Sequence, residues 1–145
     1  MQVKDAMNKN VKTIRPDASV REAAVIMNRY RIGSLVVVSG QGKVEGIITE
    51  RDILMDVVAE SKNSDDITVE EIMTHDENLK TIPPEATLED AAELMSKHKI
   101  KKLPVVKKGM LLGIITASDL ILYEKHLIEK VSELLVSRET TGLAG

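Results

Sequence analysis

The sequence contains no cysteine, tryptophan or phenylalanine, and its only tyrosines are Tyr30 and Tyr123. Without cysteine there is no disulfide, no thiolate metal site and no cysteine nucleophile. With so few aromatic rings there is no platform on which to stack nucleic-acid bases, and the core has to be aliphatic and methionine. No apolar run approaches the roughly 18 residues that span a bilayer, and the start MQVKDAMNKN lacks the apolar stretch of a signal peptide, so a cytoplasmic chain away from membranes is expected. An excess of one charge is missing too: 20 basic residues face 23 acidic ones, a net charge of −3. Such a balance disfavours a grip on nucleic acid, despite Arg29, Arg31, Lys97, Lys99, Lys101 and Lys102. The sequence is also poor in catalytic signals. His75, His98 and His126 show no metal-ligand spacing, Ser34, Ser39 and Ser118 sit in no G-x-S-x-G elbow, and neither standard phosphate loop occurs. A catalytic role is not expected, nor a bound metal.

What the chain does have is itself, twice. Residues 13–38 lie without a gap against 81–106, Pro16 falling on Pro84, a period of 68. GIITERDIL (46–54) then matches GIITASDLI (113–121) one residue out of phase, and VKDAM (3–7) is echoed by VEEIM (69–73). The division expected is repeat 1 over 1–60, a polar linker over 61–68, repeat 2 over 69–126, and a helical extension with a disordered tail, SRETTGLAG, over 127–145. In each copy, Ser19 with Glu22 and Thr87 with Asp90 have the spacing of a capping box, which starts helices near Val20 and Leu88. Apolar residues then recur at Val20, Ala23, Ala24 and Met27, and at Leu88, Ala91, Ala92 and Met95, the stripe of a one-sided helix. β-Branched runs at Leu35–Val38 and Val44–Thr49, and at Leu103–Val106 and Leu111–Thr116, flank glycine turns and predict hairpins. Further helices are expected from Asp52 to about Ala59 and from Asp119 onward. The fold class is therefore α+β: two β-α-β-β-α repeats packed with pseudo-two-fold symmetry through their small sheets, with clefts between them. Leu120, Tyr123, Leu127, Val131, Leu134 and Leu135 extend an apolar stripe beyond the repeat, a face suited to self-association.

The doubled G-I-I-T-x-x-D is the strongest chemical signal. A strand ends at Thr49 or Thr116, and Asp52 or Asp119 lies in the first turn of the following helix. The hydroxyl and open backbone N–H groups can meet a phosphate, and the carboxylate can accept two hydrogen bonds from a ribose diol. The same residues also read as a helix cap and an ordinary strand end, because Asp is a favoured cap in any fold.

Taken together, T-I-x-P, S/T-V/L-x-E/D-A-A, L-V/P-V-V and G-I-I-T-x-x-D, each present twice, resemble a tandem pair of CBS domains, the regulatory module named after cystathionine β-synthase. The resemblance covers about residues 1–125, with no catalytic domain beside it, and implies a stand-alone sensor. It implies that Asp52 and Asp119 hold ribose hydroxyls, and that Thr49 with Arg51, and Thr116 with Ser118, approach phosphate. By the same likeness Thr13, Ile14 and Pro16, and Thr81, Ile82 and Pro84, frame the base. Ile32, Gly33 and Ser34, and Ile100, Lys101 and Lys102, would line the pocket, and Ile47 and Ile114 would be apolar walls. The implied ligand is an adenine nucleotide or S-adenosylmethionine, bound as a regulator with no further cofactor, and the implied assembly is a homodimer acting on a separate protein.

The copies are unequal. Pro104 of the second L-P-V-V, itself counted in the pocket, is replaced by Val36 in the first. Lys101 and Lys102 stand where the first copy has Gly33 and Ser34, which points to the second site for the more highly charged nucleotide, unless those lysines are simply solvated. Two functions follow from the sequence. One is a ligand sensor without catalysis. The other is a ligand-independent adaptor that dimerises through its C-terminal helix and docks on a separate enzyme, transporter or transcription factor.

Overall fold

The computed structural model describes residues 1–140. The chain runs α1 (Val3–Ala6), β1 (Thr13–Ile14), α2 (Val20–Tyr30), β2 (Ser34–Val38), β3 (Val44–Thr49), α3 (Glu50–Ile53), α4 (Val69–Ile72), β4 (Thr74–His75), α5 (Leu88–His98), β5 (Lys102–Lys107), β6 (Met110–Thr116) and α6 (Ala117–Thr140). α3 widens directly into a π-helical turn over Leu54–Val58, where the Ala59 N–H donates to the Leu54 carbonyl at 2.9 Å.

The helix starts follow from side-chain caps. Ser19 Oγ accepts from the Glu22 N–H, while Glu22 does not return the bond. Thr87 and Asp90 form the full reciprocal box. Both helices end on a left-handed residue, Arg31 or Lys99, which turns the chain into the hairpin. Val20, Ala23 and Met27 are buried as expected, and so are Ala91 and Met95; Ala92 is exposed, since the sheet covers only one side of α5.

Each hairpin puts alternate residues on opposite faces. Leu35, Val37 and Ile48 pack beneath α2 in one core, and Leu103, Val105 and Ile115 form the other core with Ala91 and Met95. Val36 and its counterpart Pro104 are also fully buried but belong to neither core, because they face the seam between the copies. The hairpin tips meet across that seam, with Lys43 bridging Met110 and the Val44 N–H bonded to the Gly109 carbonyl at 2.9 Å. Replacing Pro by Val at position 36 therefore preserves a buried apolar contact.

The unit that repeats in sequence is not the unit that packs. β4, which follows α4, pairs antiparallel with β3 of the other copy, completing a sheet of order β1-β2-β3-β4. Val69 is buried in the first core, and the N–H groups of Val69 and Glu70 donate to the carbonyls of Ala18 and Pro16. The arrangement is reciprocal: Val3 is buried in the second core, Asn8 bridges Ile114, and Val3 and Lys4 donate to Ala86 and Pro84. The VKDAM and VEEIM segments thus cross over, each sealing the partner copy. The segment expected as a polar linker is correspondingly tied down, since the Ile67 and Ser64 carbonyls accept from Val20 and Arg21 at the start of α2.

This crossing explains the glycine of G-I-I-T. A Cβ on Gly46 would lie 2.7 Å from the Thr74 carbonyl oxygen, and one on Gly113 would lie 2.8 Å from that of Asn8. Backbone in a paired strand cannot yield readily, so Gly46→Ala and Gly113→Ala are each expected to cost about 1–3 kcal/mol. Gly40→Ala, whose Cβ would meet only the flexible Arg15 side chain at 3.5 Å, should cost much less. Urea unfolding of the three variants measures the difference.

α6 continues through Thr140, so residues 137–140 of the tail expected to be disordered are helical; 141–145 lie outside the described residues. Leu127, Val131, Leu134 and Leu135 of its apolar stripe are more than half exposed in the single chain.

Candidate functional site

Both G-I-I-T-x-x-D motifs fold into the same corner, and its details differ from expectation in one respect. The helices start two residues earlier than predicted, at Glu50 and Ala117. Asp52 and Asp119 are therefore not at the cap position but three residues beyond it, and Thr49 and Thr116 supply the caps. Thr49 Oγ1 accepts from the Asp52 N–H at 3.1 Å, and Asp52 Oδ2 accepts from the Thr49 N–H at 2.9 Å. At Thr116 and Asp119 the same pair of bonds measures 3.2 and 2.9 Å. The N–H that begins each helix is also satisfied, Glu50 by the Gly33 carbonyl at 2.9 Å and Ala117 by that of Lys101 at 2.8 Å.

The capping and ligand-binding readings of these residues are compatible. The box occupies one lone pair of Oδ2 and leaves Oδ1 of each Asp without a protein partner among the described residues. A carboxylate held this way retains acceptors for two hydroxyl groups. Each threonine accepts through its oxygen and keeps its own O–H as a donor. The Arg51 and Ser118 N–H groups, second in their helices, are the donors that the corner leaves open.

The cleft between the copies has a volume of about 180 Å³. Thr116, Ile114 and Lys102 line it from the second copy, and Ile32, Ser34 and Val36 from the first. Asp119 adjoins it through its bonds to Thr116. At the seam the Lys102 ammonium donates to Ser34 Oγ at 3.0 Å, and Ser34 is almost fully buried.

Other expected site residues lie elsewhere or act through backbone. Ile14 and Ile82 are core side chains; the Ile82 N–H and C=O are both bonded, to Pro104 and Val106. Pro16 and Pro84 give their carbonyls to the crossing helices. Thr13 pairs opposite Val36 in β1, and Thr81 is exposed just before Ile82. Ile100 packs against the second core, while Lys101, Ser118 and Arg51 are exposed. Ile47 sits opposite Val36, and Pro104 opposite Ile114. Gly33, with Ile32, lines a wider depression of about 520 Å³ between α2 and α3, formed by the first copy alone.

Four further cleft residues went unread in the sequence: Asn8, Asn10, Val11 and Lys12. Their signal was available, since the crossing echo precedes them and a lysine stands before T-I in both copies, as Lys12 and Lys80. The Lys12 ammonium lies 4.3 Å from the centre of the Tyr30 ring. In the second copy, Lys80 and His98 occupy the corresponding places. The His98 imidazole is held below its ordinary pKa by desolvation first, and then by the charges of Lys80 and Lys97.

Comparison with known proteins agrees with the two-copy fold. The family model described as CBS domain matches residues 3–59 and again 69–126. A CBS domain-containing protein of Bacillus subtilis, YhcV, is 36% identical over 118 residues, 81% of each chain. Inosine-5'-monophosphate dehydrogenase of Aquifex aeolicus is 40% identical over 118 residues, which cover 81% of this chain but 23% of that enzyme. Among solved structures, that of a putative acetoin utilization protein (AcuB) from Vibrio cholerae superposes with a TM-score of 0.79 at 32% identity, covering 92% of this chain and 96% of that one. No described helix is long and apolar enough to cross a membrane.

Proposed function

The chain belongs to the CBS-domain family as a tandem pair, and on that footing we propose that it is a regulatory module that binds an adenosine-containing ligand in the cleft between the two copies. AMP, ADP, ATP and S-adenosylmethionine share the parts such a cleft would hold. The observation that carries the reading is the doubled Thr–Asp corner, with Thr116 on the wall of the cleft and one carboxylate oxygen of each Asp unengaged. A ribose diol matches those acceptors, and the threonine hydroxyl with the open Ser118 or Arg51 N–H matches a phosphate. Ligand bound between the copies stabilises one arrangement of the seam over others, and that difference is what a partner protein reads. The module carries no reaction of its own. A second copy covers the exposed apolar face of α6, giving a homodimer.

Thermal unfolding of nucleotide-stripped protein with AMP, ADP, ATP, S-adenosylmethionine and NAD, and GTP as the control base, tests the ligand class. A ligand at about 100 times its Kd stabilises the fold by roughly 2.7 kcal/mol, a readily measured rise in Tm. Stabilisation by adenine compounds alone is the expected result. A flat panel would overturn the sensor reading in favour of a ligand-independent adaptor, for which the exposed face of α6 is the supporting feature.

A further inference from the structure

α6 leaves the body of the protein shortly after it begins. Ala117 and Leu120 pack on the second core and Tyr123 is half-buried, but every residue from Glu124 to Val136 is exposed. From Glu124 to its end at Thr140 the helix runs on for about 25 Å. A stretch of that length is marginal as an isolated helix in water, yet Leu127, Ile128, Val131, Leu134 and Leu135 along one side of it are each more than half exposed.

That stripe is symmetric in sequence. Leu127 and Leu135 lie four residues either side of Val131, and Ile128 and Leu134 lie three either side. A second α6 laid antiparallel on a two-fold axis at Val131 therefore sets Leu127 against Leu135 and Ile128 against Leu134. One heptad from the centre, the stripe carries Glu124 on one side and Arg138 on the other. Antiparallel pairing brings these opposite charges together twice. Parallel pairing in register would set Glu124 against Glu124 and Arg138 against Arg138, like charges at both ends of the apolar contact. In the single chain Glu124 has no ion-pair partner among the described residues.

We propose that two copies of the chain join through an antiparallel pair of α6 helices centred on Val131, with the charges of Glu124 and Arg138 setting its direction and register. The inference rests on the homodimer reading above, which leaves both open. Each apolar residue of the stripe gains a counterpart on the other copy, and the two charged positions on it are matched. Glu129 and Glu133 lie on the opposite side of the helix, clear of the contact.

Sedimentation equilibrium of the full chain and its charge variants tests the pairing. The native protein is expected to be a dimer. Glu124→Arg and Arg138→Glu each place like charges together twice and should weaken the dimer by about tenfold, whereas the exchange Glu124→Arg/Arg138→Glu should return it to within about threefold of native. The chain has no cysteine of its own, so single cysteines report the register directly. On oxidation Val131→Cys should link to itself, and Leu127→Cys should link to Leu135→Cys in a mixture but not to itself. A native dimer that the charge exchange fails to restore, or in which Leu127→Cys links to itself and not to Leu135→Cys, overturns the antiparallel pairing while leaving the homodimer standing. A native protein that stays monomeric overturns the homodimer and the pairing together.

Discussion

Asp119→Asn is expected to leave the protein folded and to weaken AMP binding at its corner by one to two orders of magnitude. The amide oxygen can still accept from the Thr116 N–H, as Asp119 Oδ2 does at 2.9 Å, so the capping box survives in neutral form. What is lost is the charge that strengthens the bonds to a ribose diol, worth about 1.5–3 kcal/mol for a hydrogen bond to an ionised group. Loss of a negative charge near the helix start costs only about 0.3–1 kcal/mol of stability. Asp119→Ala removes both functions, adding a capping loss of about 0.5–2 kcal/mol. Comparing the two separates binding from folding, and Asp52→Asn tests the other corner in the same way. Isothermal titration beside urea unfolding gives both quantities, and an Asp52→Asn/Asp119→Asn protein that binds AMP as tightly as the native one would refute the assigned role.

Val3→Asp is expected to have the largest effect on stability, although Val3 is only the third residue of the sequence and far along it from what it supports. Its side chain is wholly buried among Ile82, Ala91, Met95, Leu103, Val105 and Ile115. An unpaired carboxylate there costs several kcal/mol, a large share of the roughly 5–15 kcal/mol that holds a domain together. Hydrogen exchange should show protection lost first in β5 and β6, not in β2 and β3. Val69→Asp should reverse that order, because Val69 seals the first core. Residues 61–145 expressed alone lack α1 and the Asn8 strand contact, and are expected to lose the cooperative unfolding of the full chain. Equal loss of protection in both hairpins, or a Val3→Asp protein within about 1 kcal/mol of the native one, would contradict the crossing.

The crossing also marks how far the sequence could be read. Patterns that act locally were legible: the Ser19 and Thr87 caps, the alternation in the hairpins, and the doubled Thr–Asp corner are each set by neighbours a few residues away. The period of 68 established two repeated units and hence a seam between them. Periodicity does not say onto which copy an echo packs, so VKDAM and VEEIM read naturally as the beginnings of their own repeats. Gly46 and Gly113 carried the missing information, since each is a glycine where a neighbouring backbone comes within 3 Å of a virtual Cβ. Asn8 reaches the cleft through its crossing contact with Ile114 and was missed for the same reason, whereas Lys12 is held there by its own copy, its carbonyl accepting from the Val36 N–H. The helix start was misplaced by two residues because Asp is an equally good cap and third helical residue; only the hydrogen bonds of Thr49 and Thr116 distinguish the two.

The central claim is that the seam between the two copies, not the outer helical face, receives the ligand. Titrating the isotopically labelled full chain with AMP and following its backbone amides by NMR tests it most directly. The account predicts saturable shifts centred on Thr116, Ser118 and Asp119 or on Thr49, Arg51 and Asp52, reaching Ser34 and Lys102 across the seam. Shifts confined to α6 or to the depression between α2 and α3, or no shifts at all, would contradict it.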